Sequence, residues 1–172
     1  MTHMTVTTDQ AQELLVDCLK SQLPVMLHGS PGIGKSSIIK EVANDFGLKV
    51  IDIRLSQCDP TDINGFPSID PETHKSRYAP MEMFPLLGET VESGYNGYLI
   101  FLDEFNSAPT AVQAAAYRLV LDREVGQYKL HDKALIVCAG NKDTDGAITN
   151  RLSTAMQSRL VHLEIAPDHE SW

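Results

Sequence analysis

The sequence predicts an α/β domain: a five-stranded parallel sheet between two layers of helices, with a hairpin inserted ahead of the second core helix. Three observations carry this. Short apolar runs alternate with helical patterns along the chain. One such run leads directly into a glycine-rich loop followed by a helix, and another, continuously apolar, ends in two adjacent acids. A chain of 172 residues suffices for one domain with a sizeable core.

Taken in order, Asp9–Ser21 is amphipathic, with Ala11, Leu14, Leu15, Cys18 and Leu19 on one face and Thr8 or Asp9 as its cap. Pro24–His28 is a short buried strand, and Ser37–Asp45 is the helix after the glycine-rich loop. Leu48–Leu55 alternates and forms a second strand. Tyr98–Leu102 is a third, apolar throughout as a strand covered on both faces must be. Pro109–Leu121 is a helix with Val112, Ala115, Ala116, Leu119 and Val120 on one face, and Pro109 suits its first turn. Ala134–Ala139 and Leu160–Ile165 complete the sheet, and Arg151 and Arg159 bracket a short helix, Leu152–Gln157. The least regular stretch is Ser56–Pro85. Within it Phe66–Ile69 and Lys75–Tyr78 flank Asp70–His74, a hairpin around a proline-containing turn. Such an insertion is either decoration or a working surface.

Residues Gly29-Ser30-Pro31-Gly32-Ile33-Gly34-Lys35-Ser36 satisfy G-x-x-x-x-G-K-[ST], with Ser37 following. Glycines let the backbone turn tightly and aim successive N–H groups at a polyphosphate. Lys35 brings a cation to the β- and γ-phosphates, Ser36 offers a hydroxyl to Mg²⁺, and the helix N-terminus adds its partial positive charge. The competing interpretation, a chance glycine-rich turn, does not account for the strand before and the helix after.

The run Leu99-Ile-Phe-Leu-Asp103-Glu104 ends in an acid pair. Asp103 at a strand end beside the phosphate loop can hold Mg²⁺, and Glu104 can polarise an attacking water as general base. An acidic turn closing a strand is the plainer alternative. Asn141, directly after the fourth strand, can orient the water or contact the γ-phosphate, or can be a turn residue beside Gly140. Asn141-Lys-Asp-Thr144 lacks the acid that a guanine-reading motif needs at its last position. Arg159 can stabilise transition-state charge if it reaches a phosphate; on sequence alone a solvated helix-end cation competes.

Composition limits the function classes. Fourteen basic against 23 acidic residues give a net charge of −9, which argues against a broad nucleic-acid or anionic-membrane surface and leaves room for a local basic patch. No signal peptide or membrane-length apolar run is present. Cys18, Cys58 and Cys138 are far apart and form no C-x-x-C pair, which suits a reducing cytoplasm.

These elements in this order resemble the AAA+ superfamily of ATPases, specifically its MoxR-like branch, from the helix at Asp9 to the strand ending at Ile165. The likeness is carried by Gly29–Ser36, the Gln57-Cys-Asp-Pro-Thr-Asp-Ile-Asn-Gly65 segment, Asp103-Glu104-Phe-Asn106, Gly140-Asn141 and Ser158-Arg159. The resemblance implies that Gly29–Ser36 act as Walker A, Asp103 and Glu104 as Walker B, and Asn141 as sensor 1. It further implies that Arg159, with Arg151 as second candidate, is an arginine finger serving the neighbouring subunit's site. ATP and Mg²⁺, a hexameric ring and a protein client follow from the same likeness. The Phe66–Tyr78 hairpin resembles the helix-2 insert, which in the family lines the ring's pore or engages clients. Val6 and Thr7 are the nearest candidates for the segment that touches adenine. Family members carry a helical lid after the last strand; this sequence ends at Trp172, as an excised core or a minimal protein would. The expected function is ATP hydrolysis coupled to remodelling a protein partner. A nucleotide-gated binding module with little turnover, and a DNA-directed motor using His74, Lys75 and Arg77 on the hairpin, stay open as alternatives.

Overall fold

The computed structural model describes residues 4–30, 32, 34–141 and 158–166. In chain order its elements are β1 (Met4–Val6), α1 (Thr8–Lys20), β2 (Val25–His28), α2 (Lys35–Phe46), β3 (Leu48–Arg54) and the short α3 (Pro60–Asn64). They continue with β4 (Phe66–Ile69), β5 (Ser76–Ala79), β6 (Gly97–Asp103), α4 (Thr110–Tyr117), β7 (Glu124–Val125), β8 (Tyr128–Lys129), β9 (Ala134–Gly140) and β10 (Val161–Ile165). Six strands form the central sheet in the order β1-β10-β2-β9-β6-β3, and every pairing in it is parallel.

The sheet separates two apolar clusters. Along β6, Leu99 and Phe101 face Leu15, Ile38, Ile39 and Val42 of α1 and α2. Tyr98, Ile100 and Leu102 face Ile63 of α3, Val112 and Ala116 of α4, and Leu119 just beyond it. Residues of opposite parity therefore point into opposite layers, which is why this strand is apolar from Tyr98 to Leu102. The result is the expected three-layer sandwich.

Several expectations are corrected. The sheet has six strands rather than five: β1 pairs with the edge of β10, Met4 against Leu163 and Val6 against Ile165. Three residues give no alternation to read, so only that distant edge defines them as a strand. Helix α1 is capped by Thr7, not Thr8 or Asp9. The Thr7 Oγ1 accepts from the Gln10 N–H at 3.2 Å and the Gln10 Oε1 accepts from the Thr7 N–H at 3.0 Å, a reciprocal box that needs three-residue spacing. Helix α2 begins at Lys35 rather than Ser37, and Gly47, at φ +65°, ends it. Pro109 stands at the N-cap of α4, just outside the first turn. Beyond Tyr117 the chain continues as a π-helical turn, Arg118–Asp122, closed by Arg123 at φ +54°.

Between the third and sixth strands the chain leaves the sheet. Helix α3, not expected, carries an Asp59–Asp62 capping box and leads into the β4–β5 hairpin, whose second strand starts at Ser76 rather than Lys75. Phe66 opposes Ala79 and Ile69 opposes Ser76. The tip is tied by the Asp70 Oδ1, which accepts from the Glu72 N–H at 2.8 Å and holds that carboxyl below its ordinary range. All eight strand residues are exposed.

Candidate functional site

The C-terminal ends of β2, β9 and β6 lie side by side, and the loop after β2 enters α2 there. Gly32 at φ +81° and Gly34 at φ +94° adopt left-handed backbone, which glycine reaches without strain. Gly34 is the N-cap of α2 and has no side chain to satisfy the first amides, so the helix presents them at the crevice.

Lys35 is buried, 8% exposed, and its ammonium is held by oxygens from two strand ends. The Nζ donates to the Gly29 carbonyl at 2.6 Å, the Gly140 carbonyl at 3.2 Å and the Asn141 Oδ1 at 3.1 Å. The Gly29 N–H also donates to the Gly140 carbonyl, at 3.3 Å, so the loop and the end of β9 are tied together twice. A buried cation needs such partners to offset its desolvation.

Asp103 ends β6 opposite Arg54 of β3. Burial pushes its carboxyl above the ordinary range, the Glu104 N–H pulls it back by donating to Oδ1 at 2.8 Å, and the Glu104 charge adds to the rise while Lys35 opposes it. A carboxylate that burial disfavours, beside a helix whose first turn exposes the Ser36 hydroxyl, is a hard-oxygen donor set that fits Mg²⁺. Ser37 is exposed on the same turn.

Glu104 has left-handed backbone (φ +54°, ψ +41°), a conformation costing a non-glycine residue about 1–2 kcal/mol. This turns its side chain toward the end of β3. There the Ser56 hydroxyl donates to Oε2, and Arg54 Nε lies 3.9 Å from the same oxygen. Two residues on, Asn106 is buried and its Nδ2 donates to the Asn141 carbonyl at 3.0 Å. Gln113 of α4 fastens this segment by donating to the Phe105 and Ala108 carbonyls, each at 3.2 Å.

The fold thus brings together Gly29, Gly34, Lys35, Asp103, Glu104 and Asn141. It places Arg159 elsewhere: that residue precedes β10 and lines a cavity with Pro24 and Leu135, at the strands' N-terminal ends. Pro31, Ile33, Arg151 and the helix Leu152–Gln157 lie outside the described residues. Of the adenine candidates, Thr7 caps α1 and the Val6 carbonyl accepts from the Ala166 N–H at 2.8 Å. Sequence reasoning missed Ser56, Arg54 and Gln113, and quoted Asn106 without assigning it a role. The first two meet Glu104 only because β3 pairs with β6 in this register.

A parallel sheet with a glycine loop feeding a helix N-terminus, a buried lysine and an acid pair on a neighbouring strand end defines a P-loop nucleoside-triphosphatase fold. The family model described as "ATPase family associated with various cellular activities (AAA)" matches residues 25–162, and the chain belongs to that family. It is similar to midasin from Giardia intestinalis, at 27% identity over 174 aligned residues, covering 95% of this chain and 3% of midasin. A pachytene checkpoint protein 2 homolog from Oryza sativa subsp. indica is 31% identical over 91 residues, 53% of this chain and 19% of that protein. The replication factor C large subunit of Aeropyrum pernix is 34% identical over 59 residues, 30% and 12% respectively. The chain therefore spans only a small part of each. A crystal structure of a candidate ATPase from Cytophaga hutchinsonii superposes with a TM-score of 0.68 at 20% identity, over 98% of this chain and 49% of that one, which speaks to the fold. Among the described residues, no helix is long and apolar enough to cross a membrane.

Proposed function

We propose that the chain binds Mg-ATP and hydrolyses it as a MoxR-like AAA+ ATPase, acting in the cytoplasm as a ring, hexameric by resemblance, that remodels a protein partner. Residues 1–172 are read as one nucleotide-binding domain with 56–85 as its insert. The observation that carries this is the anchorage of Lys35 to Gly29, Gly140 and Asn141 beside the half-buried Asp103. An ammonium held by neutral acceptors can pass to phosphate oxygens, and the anion then replaces those acceptors as its partner.

In this scheme the loop amides from Gly29 to Ser36 and the Lys35 ammonium bind the triphosphate. Ser36 and Asp103 would hold Mg²⁺, which would supply positive charge against that of the phosphates. Glu104 takes a proton from the attacking water, Asn141 contacts the γ-phosphate, and Arg159 of one subunit completes its neighbour's site. The position of Arg159 at the sheet end opposite Lys35, away from its own crevice, supports a role in another subunit's site.

Glu104→Gln is expected to lower turnover at least about 100-fold while ATP affinity stays within about threefold. Wild-type turnover in that variant would remove Glu104 from its role. A second reading, a nucleotide-gated module with little turnover, is favoured by the Ser56 and Arg54 contacts that already engage the Glu104 carboxylate. Calorimetric ATP binding without phosphate release at any protein concentration would establish the module instead.

A further inference from the structure

We propose that Asn106 is a positioning residue that holds Asn141 at the γ-phosphate once Lys35 has turned to the nucleotide. The inference rests on the ATP reading of the crevice given above. Three observations point to it.

Asn106 is 6% exposed, and its amide bridges two segments 35 residues apart, linking the acid-pair strand to the end of β9. The Nδ2 donates to the Asn141 carbonyl, and the reverse orientation of the amide would set two oxygens face to face. Its Oδ1 is fully buried and has no hydrogen-bond partner among the described residues. Proteins rarely keep such an orphan acceptor, because apolar groups of the same shape avoid its desolvation cost. Asparagine here thus serves its donor end.

The third observation is steric. A Cβ built on Gly140 would collide with Asn106, 2.8 Å from its Cγ and closer still to Oδ1. Gly140 has no left-handed backbone that would itself demand glycine. The residue is glycine because the Asn106 amide occupies the space beside its Cα.

Lys35 gives these contacts their meaning. Its Nζ bonds both the Gly140 carbonyl and the Asn141 Oδ1. A triphosphate that draws the ammonium to its own oxygens weakens both bonds, just when the Asn141 side chain is needed. The Asn106 bond goes to the Asn141 main chain, so it leaves that side chain free and does not depend on Lys35. Asn106 sits two residues beyond Glu104, and the segment that supplies the base therefore also sets the position of the γ-phosphate contact.

The test compares affinities for a non-hydrolysable ATP analogue and for ADP by calorimetry on the full 172-residue chain. The variants are Asn106→Asp, which keeps the shape and loses the donor, Asn106→Ala, Gly140→Ala and Asn141→Ala, each checked for a cooperative melt. Asn141→Ala should abolish the preference for the triphosphate. The Asn106 variants should reduce it about five- to tenfold with ADP affinity nearly unchanged. Gly140→Ala should match Asn106→Ala, and the double variant should be no worse than either single. If turnover is measurable, kcat should fall about tenfold in Asn106→Asp with little change in KM. Loss of the preference in Asn141→Ala but not in folded Asn106→Asp would overturn the proposal and leave the ATP reading intact. An unchanged preference in Asn141→Ala would overturn the role of Asn141, and the proposal with it.

Discussion

At the crevice, Lys35 and Asn106 are buried and each is bonded to a segment remote in sequence. In the β4–β5 hairpin, apolar and polar side chains alike are exposed, and the turn bonds run between residues two to five apart. Lys35 reaches 105 residues along the chain to the Gly140 carbonyl; Asp70 reaches two to Glu72. The first arrangement exists only if the whole sheet forms, because no local segment could offset the cost of burying those groups. The second needs almost nothing from the rest. A region of that kind can change its side chains with little effect on folding.

The crevice is most sensitive to change inside the sheet. Phe101 is among the largest fully buried side chains, packed in the cluster beneath α1 and α2. Phe101→Ala should cost about 3–5 kcal/mol in chemical denaturation. A loss under about 1 kcal/mol would mean that the crevice does not depend on the core behind it.

A smaller effect is expected at the buried cation. Lys35→Met keeps the aliphatic stem and removes the charge. ATP affinity should fall about 100-fold or more, roughly 2.7 kcal/mol, in a calorimetric titration, while circular dichroism stays that of the parent. Retained affinity would separate the buried lysine from nucleotide binding altogether.

At Asp103 stability and function pull in opposite directions. Its carboxyl is raised in the folded protein, chiefly by burial, so the folded state binds more protons than the unfolded state between the ordinary and the raised values. Stability from this group is therefore present below the ordinary carboxylate range and lost as pH rises through the raised value. At neutral pH Asp103→Asn should melt at or slightly above the parent temperature, by up to a few degrees, while Mg-dependent binding is lost. The difference in melting temperature should shrink as pH falls through the carboxylate range. A lower melting temperature for the variant at neutral pH would contradict this.

The least effect belongs to the hairpin. Ile69 is 72% exposed, and Ile69→Ser should change stability by no more than about 0.5 kcal/mol. A larger loss would show that the hairpin packs on the body after all.

Legible along the chain are the strand–loop–helix around Gly29–Ser36, the apolar strand running into Asp103 and Glu104, and the hairpin with its turn at Asp70. Each is written in contiguous residues, through glycine conformations, hydrophobic periodicity and turn chemistry. Strand β1 was not legible, because an edge strand of three residues is defined by its neighbour. The start of α2 at Lys35 was missed by two residues, since the helix opens inside the glycine motif itself. Which groups meet at the crevice is a product of the folded sheet: Ser56 with Glu104, Asn106 with Asn141, and Lys35 with Gly140. A parallel sheet brings together strand ends that are distant in sequence, and strand order and register, not spacing along the chain, set which side chains share one buried space.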